Sequence, residues 1–185
     1  GILSHVSVFQ SPREKRLMLL TDAGVNIRPS LQRKVDIVKN AVKVANHLGL
    51  EKPRVAMLAA TEKVNYPAMP ATLDADLVAK MGAQGEFGEA EVVGPLALDI
   101  AVSSEAAACK NLTGPVVGCA DILVCPAIES GNVLYKALTS FMDVPIAGVV
   151  VGSEVPIIVP SRGDSDRSKF YSIALAVYLA TGASI

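Results

Sequence analysis

The sequence predicts an α/β protein with a mostly parallel sheet that is covered by helices on both faces. Apolar strand-like runs alternate with amphipathic helical segments along almost the whole chain, and this order is typical of parallel sheets with right-handed crossover connections. Of the 185 residues, 51% are hydrophobic but only 4% are aromatic. The core therefore consists mainly of Val, Ala, Ile and Leu, the usual residues of strands buried on both faces. We expect ligands at the carboxyl ends of such strands.

The first part of the chain predicts a hairpin followed by a helix, a strand and a second helix. Residues His5–Gln10 and Arg16–Thr21 are strand-like runs with a short polar segment between them, which predicts a hairpin. Pro29 is suited to the first turn of a helix with apolar residues at steps of three and four. A strand is then predicted over Arg54–Ala60 and a helix over Thr72–Met81.

The second part continues the alternation. Strands are predicted over Glu91–Val93, Ala120–Pro126, Pro145–Gly152 and Val155–Pro160, and helices over Leu98–Lys110, Glu129–Met142 and Asp164–Ala180. The last helix is apolar around nearly its whole circumference from Ile173 to Ala180. This pattern predicts that the helix lies buried between layers.

Composition and motif content disfavour several classes of function. The net charge is −1 and aromatic residues are few, so we expect no nucleic-acid partner. The apolar runs are shorter than the roughly 18–20 residues of a membrane span, so we expect no membrane partner. Three cysteines without C-x-x-C spacing favour reduced thiols and a cytoplasmic location.

The catalytic inventory favours chemistry by positioning and electrostatics. The two histidines, His5 and His47, fit structural roles, and neither lies in an H-E-x-x-H motif or near a G-x-S-x-G motif. No Gly-rich nucleotide-binding motif follows a strand. We therefore expect no metal site and no resident cofactor, and direct attack of one substrate on another.

A strand-to-helix turn late in the chain is the strongest candidate site. It reads Ser161-Arg162-Gly163-Asp164-Ser165-Asp166. Gly163 permits close approach, Arg162 supplies a planar two-pronged cation, and the start of the helix offers unpaired N–H groups. These features predict a cradle for a phosphate or a CoA phosphate. A simpler interpretation stays open, in which Asp164 or Ser165 caps the helix and Arg162 is solvated.

Two further strand ends carry candidate residues. The segment 126–136 leads from a predicted strand into a helix that contains Asn132, Tyr135 and Lys136. Taken alone, a capped helix with a solvated lysine is the favoured interpretation of this segment. Lys63 follows another predicted strand, where it faces an anion or is simply solvated.

Five segments in a fixed order carry a resemblance to a known family. They are T-D-A-G-V-N-I-R-P (Thr21–Pro29), V-A-M-L-A-A-T-E-K-V-N (Val55–Asn65), G-P-L-A-L-D (Gly94–Asp99), A-D-I-L-V-C-P-A-I-E-S-G-N-V-L-Y-K (Ala120–Lys136) and S-R-G-D-S (Ser161–Ser165). In this order and spacing they resemble the phosphate acetyltransferase/phosphate butyryltransferase family, and more closely its butyryl branch.

The resemblance implies reversible transfer of a short, butyryl-like acyl group between CoA and inorganic phosphate. The attack would be direct, without a covalent intermediate, and CoA would be a substrate rather than a cofactor. The implied fold is an isocitrate/isopropylmalate dehydrogenase-like phosphotransacylase fold of two domains, usually in a homodimer. Residues 1–152 would form the second domain, and residues 153–185 would return as a strand and a helix to a first domain that is largely missing. A non-catalytic acyl-CoA-sensing or dimerisation module is an open alternative.

The resemblance also implies roles for individual residues. Ser161 and Arg162 match the Ser-Arg pair of the family's active site, where the arginine holds phosphate or the thioester oxygen. The acetyl branch has an Asp seven residues after that Ser, the proposed base for the CoA thiol, and this chain has Ser168 there. Asp164 and Asp166 are therefore the two candidates for the base. The candidates for substrate binding are Lys63, Asn132, Lys136, Gly163 and Ser165.

Overall fold

Strands and helices alternate along the chain as the sequence predicts. A computed structural model describes residues 1–182, so the last three residues of the predicted segment 153–185 lie outside the described range. The strands are β1 (Ser4–Gln10), β2 (Leu17–Thr21), β3 (Arg54–Leu58), β4 (Glu91–Leu96), β5 (Ile122–Val124) and β6 (Ile146–Val151). The helices are α1 (Leu31–His47), α2 (Pro70–Ala83), α3 (Leu98–Val102), α4 (Ser104–Cys109), α5 (Ile128–Phe141) and α6 (Asp166–Thr181).

These six strands form one sheet in the order β4-β3-β5-β2-β1-β6. Every neighbouring pair is parallel except the two pairs that β1 makes, with β2 and with β6. The predicted hairpin is confirmed, with Val8 of β1 opposite Leu19 of β2. Helices α1, α2 and α6 pack on one face and α3, α4 and α5 on the other, which confirms the predicted fold class. No helix within residues 1–182 is long and apolar enough to cross a membrane.

Two predicted elements differ from the structure. The helix predicted over Leu98–Lys110 is divided into α3 and α4 at Ser103, whose extended backbone lets its hydroxyl accept from the N–H of Ala106. A serine in this position is a good N-cap and starts a new helix. The strand predicted over Val155–Pro160 is also wrong. Only Ile157 pairs with β6 there, since the two prolines of the segment lack the N–H that a ladder needs.

Helix α6 covers the outer edge of β6. The hydroxyl of Ser168 accepts from the N–H of Ile146 at 3.0 Å, and the hydroxyl of Ser172 accepts from the N–H of Gly148 at 2.9 Å. The far side of α6 is open, with Ile173 54% exposed. The prediction that this helix is buried between layers is therefore wrong for the described chain, because only one side of α6 has a sheet to pack against.

His5 on β1 occupies space that a glycine leaves free. A Cβ added to Gly148 of β6 would lie 2.9 Å from Nε2 of His5. The imidazole packs edge-on against Tyr135 of α5, with ring centroids 6.3 Å apart. Burial lowers the pKa of His5 below its ordinary value, while the carboxylates of Asp22 and Asp164 act weakly in the opposite direction. Folding thus favours the neutral form of this imidazole.

This burial predicts a pH dependence of stability. The unfolded chain takes up a proton on His5 below its ordinary pKa of about 6.5, whereas the folded chain does so only at lower pH. The free energy of unfolding should therefore fall as the pH drops below that value. We expect His5→Gln to flatten this fall in denaturant titrations repeated at several pH values, and the exposed His47→Gln to retain it. An unchanged slope in the His5 variant would contradict the assignment.

The start of α5 rests directly on the loop that follows β2. A Cβ added to Gly131 would lie 2.4 Å from the carbonyl oxygen of Asp22 and 3.0 Å from Cα of Ala23. Both neighbours are backbone atoms, which cannot rotate away. Asp22 itself is fixed, because its Oδ1 accepts from the N–H groups of Gly24 and Val25. The glycine thus sets the position of α5 relative to the end of β2.

Gly131→Ala should therefore be strongly destabilising. We expect a loss of about 1–3 kcal/mol or more in the free energy of unfolding, the cost of overpacking a rigid site. Gly163→Ala serves as the control, because a Cβ there meets no atom within 4 Å and should change stability by only about 0.5 kcal/mol. Equal stability of the two variants in urea titrations would show that the close approach of Gly131 to Asp22 does not constrain the residue at this position.

Candidate active site

Four of the predicted site residues line one cavity of about 280 Å³. They are Asn132 and Lys136 on α5, and Ser161 and Asp164 on the loop before α6. The cavity lies between α5, β6 and the loop that follows β2. Ligand sites of α/β sheets form at the carboxyl ends of strands. The cavity agrees with this expectation, because it lies beside the loop that follows β2. The structure thus brings together residues that are about 30 positions apart in the sequence.

Asp164 ties the loop to itself and to α5. Its Oδ2 accepts from the N–H of Ser161 at 2.7 Å, and its own N–H donates to the carbonyl of Ser161 at 3.1 Å. Its Oδ1 accepts from the hydroxyl of Tyr135 at 3.1 Å. Both carboxylate oxygens are therefore engaged, and the turn around Ser161 is held closed.

Lys136 brings a positive charge to the cavity. Its Nζ lies 3.3 Å from Oγ of Ser161 and 5.1 Å from the ring centroid of Tyr135. Asn132 lies one helical turn earlier on the same face of α5, and its Nδ2 donates to the carbonyl of Ala23 at 3.3 Å. An ammonium, a hydroxyl and an amide thus converge, and these are groups that bind an anion.

The rest of the predicted loop lies outside the cavity lining. Arg162 is exposed beside Ser161, and within residues 1–182 it makes no ion pair or side-chain hydrogen bond. Ser165 caps α6 by accepting from the N–H of Ser168 at 3.2 Å, so the capping interpretation holds for this residue. Asp166 is fully exposed and pairs with Lys169. The structure therefore separates the two candidate bases, with Asp164 inside the cavity and Asp166 outside it.

Two other predicted positions are also away from the cavity. Gly163 is exposed at the tip of the loop, with open space around its Cα. Lys63 is exposed after the end of β3 and lines neither this cavity nor the apolar cavity on the other side of α5. In the described chain, then, Lys136 is the cation in the cavity wall, and Arg162 is an exposed cation next to Ser161 in sequence.

The predicted set of site residues does not include His5, Tyr135 and Ser172, which also line the cavity. Tyr135 had a usable signal, because it lies beside Lys136 and three residues after Asn132 on α5. Ser172 follows Ser168 by one helical turn, a spacing that places both on one side of α6. His5 had no local signal, since its place depends on the pairing of β1 with β6.

A second cavity, of about 630 Å³, lies on the opposite side of α5. Its walls are almost entirely apolar and include Leu58, Met69, Leu98 and Val133. Cys125 also lines it, and burial raises the pKa of this thiol to about 12. The thiol is therefore protonated at neutral pH and is a poor nucleophile. Within residues 1–182, no group of three or more His, Cys, Asp or Glu side chains is arranged to hold a metal ion.

Known proteins match this chain along almost its whole length. The family model described as "Phosphate acetyl/butaryl transferase" matches residues 1–177. A phosphate butyryltransferase of Clostridium acetobutylicum is 49% identical over 178 residues, which are 96% of this chain and 59% of that protein. A phosphate acetyltransferase of Thermotoga maritima is 44% identical over 178 residues, which are 96% of this chain and 60% of that protein.

A solved structure agrees with the sequence matches. The branched-chain phosphotransacylase of Enterococcus faecalis superposes with a TM-score of 0.90 at 44% identity, covering 97% of this chain and 64% of that one. The chain thus spans about three fifths of the length of these relatives. The resemblance carried by the five sequence segments is confirmed, and the chain belongs to the phosphate acetyl/butyryl transferase family.

Proposed function

We propose that the protein carrying this chain transfers a short acyl group reversibly between CoA and inorganic phosphate. The observation that carries the proposal is the cavity in which Lys136, Ser161 and Asp164 meet. Relatives that share 44–49% of its residues are named phosphate butyryltransferase and phosphate acetyltransferase. Inorganic phosphate and CoA are both anions, and a cavity with an ammonium in its wall, next to a loop that carries an exposed guanidinium, is suited to hold them.

The proposed reaction needs no covalent intermediate on the protein. A phosphate oxygen attacks the thioester carbon, negative charge builds on the thioester oxygen, and the carbon–sulfur bond breaks to release CoA. The phosphate proton ends on the sulfur, so acyl-CoA and hydrogen phosphate give acyl phosphate and the free thiol. Lys136 and Ser161 would hold phosphate, and Arg162, the residue after Ser161, would stabilise the oxyanion. Holding both reactants in line supplies much of the rate.

Asp164 is the better placed of the two proposed bases. It lines the cavity, whereas the carboxylate of Asp166 is turned outward toward Lys169. In the direction of acyl-CoA synthesis a base at this point would take the proton of the CoA thiol. The hydroxyl of Ser168 is not available for this role, because it is buried and accepts from the backbone of β6.

For the acyl group, a butyryl-like chain is proposed over acetyl. Two relatives that are each 49% identical carry the names phosphate butyryltransferase and probable phosphate butyryltransferase. The phosphate acetyltransferase of Thermotoga maritima is 44% identical.

A second domain is proposed to complete the cleft. The described part of segment 153–185 exposes apolar side chains, with Val159 66%, Phe170 66% and Val177 57% exposed. Apolar surface of this kind marks an interface. Residues 1–152 would then be one domain. The later segment would pack on the other domain, which corresponds to the portion of the longer relatives that this chain does not match.

A cytoplasmic homodimer is proposed as well, with the exposed Val133 and Phe141 of α5 as surface for a second copy.

Phosphate-dependent release of thiol from butyryl-CoA tests the proposed reaction. In the full-length protein we expect release that requires phosphate, and Arg162→Ala should lower kcat/KM about 100-fold or more because an oxyanion loses its cation. Arg167→Ala is the matched control, since Arg167 is exposed on α6 and stacks on Tyr171. No phosphate-dependent release by the wild type would refute the proposal. Binding of CoA without turnover would instead select a non-catalytic acyl-CoA-sensing module.

The two-domain arrangement gives a further expectation. Residues 1–185 expressed alone should show little or no phosphate-dependent turnover, because the loop at Ser161 and the open side of α6 lack the opposing wall of the cleft. The measurement is the same thiol assay at matched molar concentration. Turnover by the 185-residue chain equal to that of the full-length protein would overturn the proposal that a second domain completes the cleft.

A further inference from the structure

The loop from Ser161 to Ser165 depends on α5 for its shape. We propose that Tyr135 is a positioning residue, which holds this loop in its working arrangement by donating its hydroxyl to Asp164. This inference rests on the proposed acyl transfer for its kinetic consequence, but the structural consequence is independent of it. Tyr135 lies outside the set of residues that the family resemblance assigned to the site.

A chain of three hydrogen-bonding groups carries the proposal. The hydroxyl of Tyr135 is 3.1 Å from Oδ1 of Asp164, and the N–H of Ser161 is 2.7 Å from Oδ2 of the same carboxylate. One carboxylate thus connects α5 to the backbone of Ser161. Because both oxygens are fixed from opposite directions, the carboxylate cannot rotate without losing one of the two bonds. Loss of the bond from Tyr135 leaves this carboxylate with only its contact inside the loop.

Tyr135 is itself held firmly. The residue is 8% exposed, and its ring packs edge-on against the imidazole of His5 on β1. Burial, with the neighbouring Asp164 carboxylate, raises the pKa of the Tyr135 hydroxyl well above its ordinary value. The hydroxyl therefore stays protonated and remains a donor to Asp164 over the whole working pH range.

Tyr135 also influences the position of Lys136, the cation in the cavity wall. Nζ of Lys136 lies 5.1 Å from the Tyr135 ring centroid and 3.3 Å from Oγ of Ser161. A cation over an aromatic face is attracted to the ring, so the ring and the loop together locate the ammonium. Ser161 is consequently held at two points, its N–H by Asp164 and its Oγ by Lys136. Tyr135 contacts both of these partners.

Tyr135→Phe tests the role because it removes the hydroxyl and keeps the ring. In the full-length protein we expect the KM for phosphate to rise and kcat/KM for phosphate to fall about tenfold or more, the usual effect of losing a hydrogen bond to a charged group. A purely structural defect would instead lower the active fraction and leave KM unchanged. Tyr178→Phe is the matched control, because its hydroxyl donates to the carbonyl of His47 at 2.8 Å, away from the cavity.

Hydrogen–deuterium exchange provides a second measurement that needs no activity. Tyr135→Phe should speed exchange in the peptide covering Ser161–Ser165 and leave the strands of the sheet unchanged, whereas Tyr178→Phe should leave that loop as in the wild type. If Tyr135→Phe does not fold, Asp164→Ala takes its place, because it removes both carboxylate oxygens, to which Tyr135 and Ser161 donate. This variant should show the same fast exchange.

The outcomes separate the two hypotheses. A wild type without phosphate-dependent release refutes the acyl transfer, and the exchange experiment still decides on Tyr135. An active wild type with Tyr135→Phe indistinguishable from Tyr178→Phe in KM and in loop exchange overturns the inference. Fast exchange throughout the molecule in Tyr135→Phe also overturns it, since the hydroxyl would then support the fold as a whole rather than the loop. Raised KM together with loop-restricted exchange supports it.

Discussion

The pairing of β1 with two neighbours is the constraint on which the rest of the arrangement depends. This antiparallel strand is hydrogen-bonded to β2 on one side and to β6 on the other, and β6 has no other strand beside it in the described sheet. Attachment of β6 through β1 brings the loop before α6 to the side of α5. A site assembled from residues far apart in the chain is the result. Sheet order therefore decides which local segments meet in the site.

Charge at the site is arranged around one carboxylate. Asp164 is satisfied by the hydroxyl of Tyr135 and the backbone of Ser161. Lys136 and Arg162 form no ion pair within residues 1–182. Neither cation is thus engaged in an ion pair of the described chain, so each can bind an anionic ligand. The ammonium of Lys34, by contrast, is already paired with the carboxylate of Asp74.

The sequence predicts what depends on local patterns and fails where distant contacts decide. Buried apolar runs locate the strands, and the spacing of Asn132 and Lys136 places both on one face of α5. The alternation at Val155–Pro160 resembles a strand, but the lack of N–H groups at its prolines prevents a ladder. The place of His5 in the site depends on distant contacts, because Gly148 and Tyr135 are more than 100 residues away in the sequence. The exposure of Ile173 likewise depends on which surfaces are present to cover it.

Ser168 and Ser172 have a consequence for how this molecule meets others. The outward N–H groups of Ile146 and Gly148 are occupied by hydroxyls of α6, and the next outward position, Val150, exchanges both of its backbone bonds with Ile157. An exposed sheet edge is the usual place where a foreign strand adds itself by main-chain pairing. The outer edge of β6 is therefore closed to the addition of a foreign strand along the length of β6. Recognition on this side of the molecule must therefore use side chains, so it depends on sequence rather than on backbone alone.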